Sequence, residues 1–167
     1  MAVINVSAGS QAVLHLAPTS ALGLAPGDLD TPANVLTVPQ MQDITINNST
    51  GVFRFKTLDS AAESAVTTPA TNQLSLNVVV DEASFFGEGN APATKGLVVE
   101  TGLFGVSASK TKVFFRAYFN GVDTGSKYLQ GVAFVSGLSP TVNMDSPVWI
   151  SPVTLEVDGD FTEVTAS

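Results

Sequence analysis

Along residues 73–80 the apolar side chains fall on every second position. Leu74, Leu76, Val78 and Val80 alternate with Gln73, Ser75 and Asn77, until Val79 ends the polar series. A period of two places one set on each face of an extended strand, and a helix cannot separate them in that way. The same period recurs over residues 111–119, where Val113, Phe115, Ala117 and Phe119 share one face and Lys112, Phe114, Arg116 and Tyr118 the other. It recurs again over 152–158, with Val153, Leu155 and Val157 set against Thr154, Glu156 and Asp158. Asn120-Gly121 and Asp158-Gly159 follow these runs and signal chain reversals. The apolar, β-branched and aromatic run at 128–135 makes residues 111–137 a two-strand antiparallel unit, with 120–127 as its loop. Further strands are expected at 4–7, 12–16, 41–47 and 52–57.

Helix signals are confined to residues 91–104. Asn90 is a cap candidate, Pro92 sits near the start, and Leu97, Thr101 and Phe104 share a face; Gly96, Val98, Val99 and Gly102 weaken the pattern. Two stretches read as loops. Residues 17–34 are rich in proline and glycine, and residues 58–72 are small and polar between two expected strands. A structureless loop of about 15 residues is uncommon in a compact domain and is often functional. The fold class is therefore mostly β: a single-domain sandwich or barrel with one short helix and a long hairpin loop. One domain is expected over residues 1–167, with 1–34 giving the N-terminal strand or strands plus a Pro/Gly-rich loop and 35–160 giving the core.

Composition narrows the chemistry. A chain of 167 residues, 44% apolar and 13% charged, can bury roughly two-thirds of its unfolded surface. No apolar run reaches the length of a membrane-spanning helix. The net charge of -8 argues against a basic nucleic-acid-binding surface. There is no cysteine and His15 is the single histidine, so disulfides, thiolate metal sites and histidine clusters are excluded. No cofactor or metal is expected. Met1-Ala2-Val3-Ile4 carries no basic segment or long apolar run, so the expected place of synthesis is the cytoplasm.

The remaining motifs favour plain structural roles. A Ser-His-Asp arrangement would need His15 to meet Ser7 or Ser10 and a distant acid. Gly87-Glu88-Gly89 opens like a dinucleotide fingerprint, but Pro92 and the lack of a strand–turn–helix context make it a turn. Asp28-Leu29-Asp30 and Asp158-Gly159-Asp160 lack the further ligands of a calcium loop. Asp81 and Glu82 are adjacent and would point to opposite faces of a strand, so they cannot act alone as a glycosidase pair. The sequons at Asn5 and Asn48 are chance matches. Phe85, Phe86, Phe114, Phe115, Tyr118 and Phe119 fit core packing and subunit contacts better than a stacking platform. Trp149 fits an interface anchor or a partly buried core position equally well. With no catalytic constellation, the profile is that of a non-enzymatic structural protein that assembles.

The order of segments resembles tail tube proteins of long-tailed bacteriophages. The resemblance covers residues 35–160: the strand VPQMQDITINN, a long loop-bearing hairpin through 47–72, the return strand QLSLNVVVD, an irregular or helical stretch, the pair KTKVFFRAYFNG and KYLQGVAFVSGLS, and the closing TVNMDSPVWISPVTLEVDGD. The Pro-rich stretch at 17–34 and the Gly-rich stretch at 87–105 depart from the pattern. The resemblance implies stacked hexameric rings in a virion tail. Each subunit would give strands to a continuous inner barrel, and the hairpin loop would reach a neighbouring ring. It also implies other tail proteins at the tube ends, a sheath in a contractile tail, and DNA that passes during ejection without specific binding.

On this resemblance the lumen would be lined by Asp43, Thr45, Ser75 and Asn77, the polar positions of two strands whose other faces are apolar. Alternation separates the faces but does not say which one is the channel; an ordinary outer face is the alternative. The inter-ring loop would present Asp59, Ser60, Glu63, Thr67 and Thr68. Two rivals stay open: a capsid decoration protein, and a carbohydrate-binding β-sandwich module of a virion, which would need an exposed aromatic–acid cluster on one rigid face.

Overall fold

The computed structural model describes residues 12–19, 35–38, 41–58, 62–88 and 97–166. The alternating run at 73–80 forms the inner half of a much longer strand, β4 (Ser64–Val79). Its partner β3 (Met41–Phe55) joins the strands expected at 41–47 and 52–57 into one. Before them come β1 (Val13–Pro18) and β2 (Leu36–Val38). After them come α1 (Glu82–Phe86), α2 (Leu97–Ser109), β5 (Val113–Tyr118), β6 (Lys127–Leu138), β7 (Thr141–Asn143), β8 (Ser146–Val157) and β9 (Thr162–Thr165).

All strands among the described residues belong to one nine-stranded sheet in the order β2-β1-β5-β6-β8-β4-β3, with β7 on β8 and β9 on β6. Every pairing is antiparallel. The register makes continuous apolar rows across the sheet. Ile46 faces Leu74, which faces Leu155, which faces Val135; Ile44 faces Leu76, which faces Val153, which faces Leu138. Leu74, Leu76, Val153 and Leu155 are fully or almost fully buried. The same core takes in Leu14 and Leu16 of β1 and Phe115 of β5, and it is completed by Phe85 of α1 and Leu103 and Val106 of α2.

Several expectations need correction. The stretch 58–72 is not a loop: from Ser64 onward it is strand, and Val52, Phe53, Arg54 and Phe55 pair with Thr67, Val66, Ala65 and Ser64. Both faces of this outer ribbon are exposed, so no face was selected to be apolar and the period-two signal is missing. At 17–34, Ala17 and Pro18 extend β1; residues 20–34 lie outside the described residues, as does the strand expected at 4–7. There are two helices rather than one among the described residues. α2 runs on to Ser109, beyond the expected end, and the expected start at 91–96, with its cap Asn90, lies outside the described residues. α1 is capped by Asp81, whose Oδ2 accepts from Ser84 N and Ser84 Oγ, both at 3.1 Å.

The two helices meet through glycine. Gly87 (φ 84°) lies so close to α2 that a Cβ there would stand 2.1 Å from Glu100 O. Gly102 (φ 63°) breaks α2, and a Cβ on it would stand 2.5 Å from Gly87 N. Positive φ and absent side chains at both positions let the end of α1 rest on the break. That contact brings Phe86 and Phe104 together, with ring centroids 5.8 Å apart.

Candidate functional site

The sheet face opposite the core is polar over β3, β4 and β8. Asp43 lies opposite Asn77 and Asn77 opposite Pro152; Thr45 lies opposite Ser75 and Ser75 opposite Thr154; Asn47 lies opposite Gln73 and Gln73 opposite Glu156. The structure therefore gathers Asp43, Thr45, Ser75 and Asn77 into one patch. It also adds Gln73, Thr154 and Glu156, which the sequence reading left out of the site. The alternation of Gln73 is visible in residues 73–80 and that of Thr154 and Glu156 in residues 152–158, but the partner of β8 lies about 80 residues away along the chain, beyond the reach of local pattern.

Hydrogen bonds order the patch. Asn77 N donates to Asp43 Oδ1 at 3.1 Å and Asn77 Nδ2 to Asp43 Oδ2 at 2.8 Å. This double contact stands beside the register shift between Met41 and Asp43, so the carboxylate helps hold the strands in register where the ladder is irregular. Gln73 Nε2 donates to Glu156 Oε1 at 2.7 Å. The facing residues of these rows include two carboxylates and no Lys or Arg.

At the far end of β3 and β4 the hairpin becomes an arm. A second register shift falls between Thr50 and Val52. Beyond it Val52, Phe53, Leu58 and Val66 are more than half exposed. Glu63, Thr67 and Thr68 sit on this arm and are exposed, Thr67 and Thr68 within β4 itself; Asp59 and Ser60 lie outside the described residues. The arm is thus more apolar than the small polar loop expected there. Its hydrophobic residues Val52, Phe53 and Phe55 belong to the strand expected at 52–57, which the structure places in β3.

The other motifs have structural places. His15 packs edge-on against Tyr118, with centroids 5.3 Å apart. Arg116 is buried, lies 4.9 Å from the centre of the Tyr128 ring and donates to Gln130. Phe115 and Tyr118 are buried on opposite faces of β5, so the aromatic run forms no flat platform. Asp81 serves α1, and Asp158 pairs with Lys112 at 2.7 Å. Asp160 accepts from the buried Asn72. Among the described residues no group of three or more His, Asp or Glu could hold a metal ion. Trp149 is half exposed in the β7–β8 hairpin, beside exposed Val142, Met144 and Val148.

By sequence the chain matches no protein-family model and no curated protein. Its structure does match. A chain in the tail of an empty gene transfer agent particle, refined with C6 symmetry, superposes with a TM-score of 0.62 over 96% of this chain and 100% of that one, at 8% identity. The SPP1 tail tube superposes with a TM-score of 0.60 over 93% of this chain and 77% of the other, at 11% identity. The chain has the tail tube fold. The fold extends to an extracellular contractile injection system: a chain of the PVC sheath–tube complex in its extended state gives a TM-score of 0.58 over 98% and 95% of the two chains, at 12% identity. A tail tube fold preserved at such low identity is carried by sheet order and core pattern rather than by particular side chains.

Proposed function

We propose that this chain is the structural subunit of a virion tail tube. Copies close into hexameric rings, the rings stack, and DNA passes through the channel on ejection into the host. The polar, cation-free face of β3, β4 and β8 carries this reading. With its apolar side committed to the core, that face must meet water, and in a tube the water is the channel. Asp43 would then repeat around each ring as a belt of negative charge, joined by Thr45, Ser75 and Asn77. A Lys or Arg there would add affinity for every passing phosphate, and none is present. The C6 symmetry of the gene transfer agent tail supports the ring order. The outer edge of β3, without a strand partner among the described residues, offers a template for pairing between neighbours in a ring.

In this reading the chain is not an enzyme, is one domain and needs no cofactor. Its partners are its own copies and the proteins at the tube ends. The experiment is mass photometry with negative-stain microscopy of the purified chain over a wide range of concentration. Species of six 17.2 kDa copies, and hollow rods or rings, are expected. A monomer at every concentration would defeat the reading.

A further inference from the structure

The loop between β5 and β6 holds the single Asn-Gly pair of the chain, Asn120-Gly121. Asn120 is half-buried, and among the described residues neither its side-chain amide nor the Gly121 N–H has a hydrogen-bond partner. Gly121 lies at φ 73°, and a Cβ on it would meet only Asp123 Oδ2, at 3.8 Å, so no side chain shields its nitrogen. A groove lined by Phe119, Asn120, Asp123, Ser126 and Lys127 opens the loop to solvent. Ser126 Oγ donates to Asn120 O at 3.3 Å. That oxygen belongs to the same peptide group as the Gly121 N–H. When the N–H loses its proton, negative charge spreads onto the oxygen, and a donor already aimed there stabilises it.

The chain's other candidate is held shut. Asp158 precedes Gly159, but its carboxylate is fixed on Lys112 Nζ at 2.7 Å and its N–H donates to Val132 O at 2.7 Å. An ionised carboxylate in an ion pair is a poor target for a nucleophile. Asn72 and Asn77 have their side-chain amides committed to Asp160 and Asp43.

We propose that Asn120-Gly121 is a self-modification site, where the chain converts Asn120 to aspartate or isoaspartate without an enzyme and Ser126 is the positioning residue. Hydroxide takes the Gly121 N–H proton. The nitrogen attacks Asn120 Cγ, the bond from Cγ to the side-chain nitrogen breaks, and ammonia leaves with a proton from water. Water then opens the resulting succinimide at either carbonyl. Opening at Cγ leaves aspartate, and opening at the main-chain carbon leaves isoaspartate, with the chain running through Cγ. Water is consumed, ammonia is released, and nothing is oxidised or reduced. Both products add negative charge to a loop that already carries Asp123. Isoaspartate also lengthens the main chain and turns the oxygen that Ser126 holds into part of a free carboxylate. Ser126 O accepts from Ala166 N at 2.9 Å and Gly125 N donates to Ala166 O at 2.8 Å, so the same loop seats the end of β9. The modification therefore loosens that strand. The inference is independent of the tube reading.

The test incubates the full chain in mildly alkaline buffer and follows each asparagine by peptide mass spectrometry and isoaspartyl methyltransferase labelling. Asn120 should be lost at least about tenfold faster than Asn48, Asn72 or Asn77, at a rate that rises with hydroxide, and Asp158 should stay intact. Ser126→Ala should slow the loss about threefold to tenfold, the worth of one hydrogen bond to a developing charge. Ser126→Thr should restore it, and in urea all three chains should react alike. Hydrogen exchange over residues 162–166 should be faster in the isoaspartyl form. Loss spread evenly over several asparagines, or an Asn120 that outlasts the others, overturns the site. A Ser126→Ala chain at the parental rate, or one that differs equally in urea, overturns the role of Ser126. Unchanged exchange over 162–166 overturns the effect on β9.

Discussion

Asp43 and Asn77 are joined twice across β3 and β4, backbone N–H and side-chain amide of Asn77 each donating to one oxygen of the same carboxylate. The residue proposed to set the charge of the channel is therefore also part of the sheet's own bonding. Asp43→Ala removes both contacts at an exposed position and should cost about 1 kcal/mol, the usual net value for such hydrogen bonds. Asp43→Asn should cost less, because its amide oxygen can still accept. Urea unfolding of the unassembled chain, read by the shift in midpoint at constant slope, measures both.

The channel assignment has a separate readout. In a cysteine-free chain, Asp43→Cys gives one thiol per subunit. Intact tubes should admit a small thiol reagent to that position and exclude a bulky one. Equal labelling by both would put the face on the outside. Asp43→Lys should slow DNA passage, since each added cation strengthens phosphate attraction, and the effect should shrink as salt is raised.

The core and the arm should respond differently to truncation. Leu74 is fully buried between Ile46 and Leu155. Leu74→Ala should cost about 2–5 kcal/mol, from lost transfer energy plus a cavity. Val66, exposed on the arm, should tolerate the same change within about 0.5 kcal/mol. Replacing residues 50–70 with an Asn-Gly turn should leave a folded chain, because Ser49 and Thr71 are already paired, but should stop rings from stacking. Circular dichroism checks the fold and negative-stain microscopy the stacking; long tubes from the shortened chain would remove the arm from the inter-ring contact.

Much of the sheet is legible in the sequence wherever one face is buried. β4 and β8 show it, because Leu74, Leu76, Val153 and Leu155 point to the core and the residues that alternate with them do not. The β4 side of the arm is not legible as strand, because Val66, Thr67 and Thr68 meet solvent on both sides and only pairing with β3 makes them extended. α1 is missed for another reason. Five residues hold too little periodicity to stand out, and only the Asp81–Ser84 cap marks the start. The polar patch was half read: Asp43, Thr45, Ser75 and Asn77 follow from alternation, whereas Thr154 and Glu156 join them only through the β4–β8 pairing.

The Gly87–Gly102 contact makes the helical face sensitive to single methyl groups. Gly87→Ala and Gly102→Ala would each place a Cβ within 2.1–2.5 Å of backbone atoms. Both also fall at positive φ. Each should cost about 2–4 kcal/mol, from strain plus overpacking. Thermal unfolding measures the loss, and near-ultraviolet circular dichroism should register the altered Phe86–Phe104 packing.

The tube reading as a whole meets its most direct test in cryo-electron microscopy of the assembled, purified chain. The account predicts hollow tubes of stacked sixfold rings, with Asp43, Thr45, Ser75 and Asn77 on the inner wall. Filaments without a channel, or tubes that carry those residues on their outer surface, would contradict it.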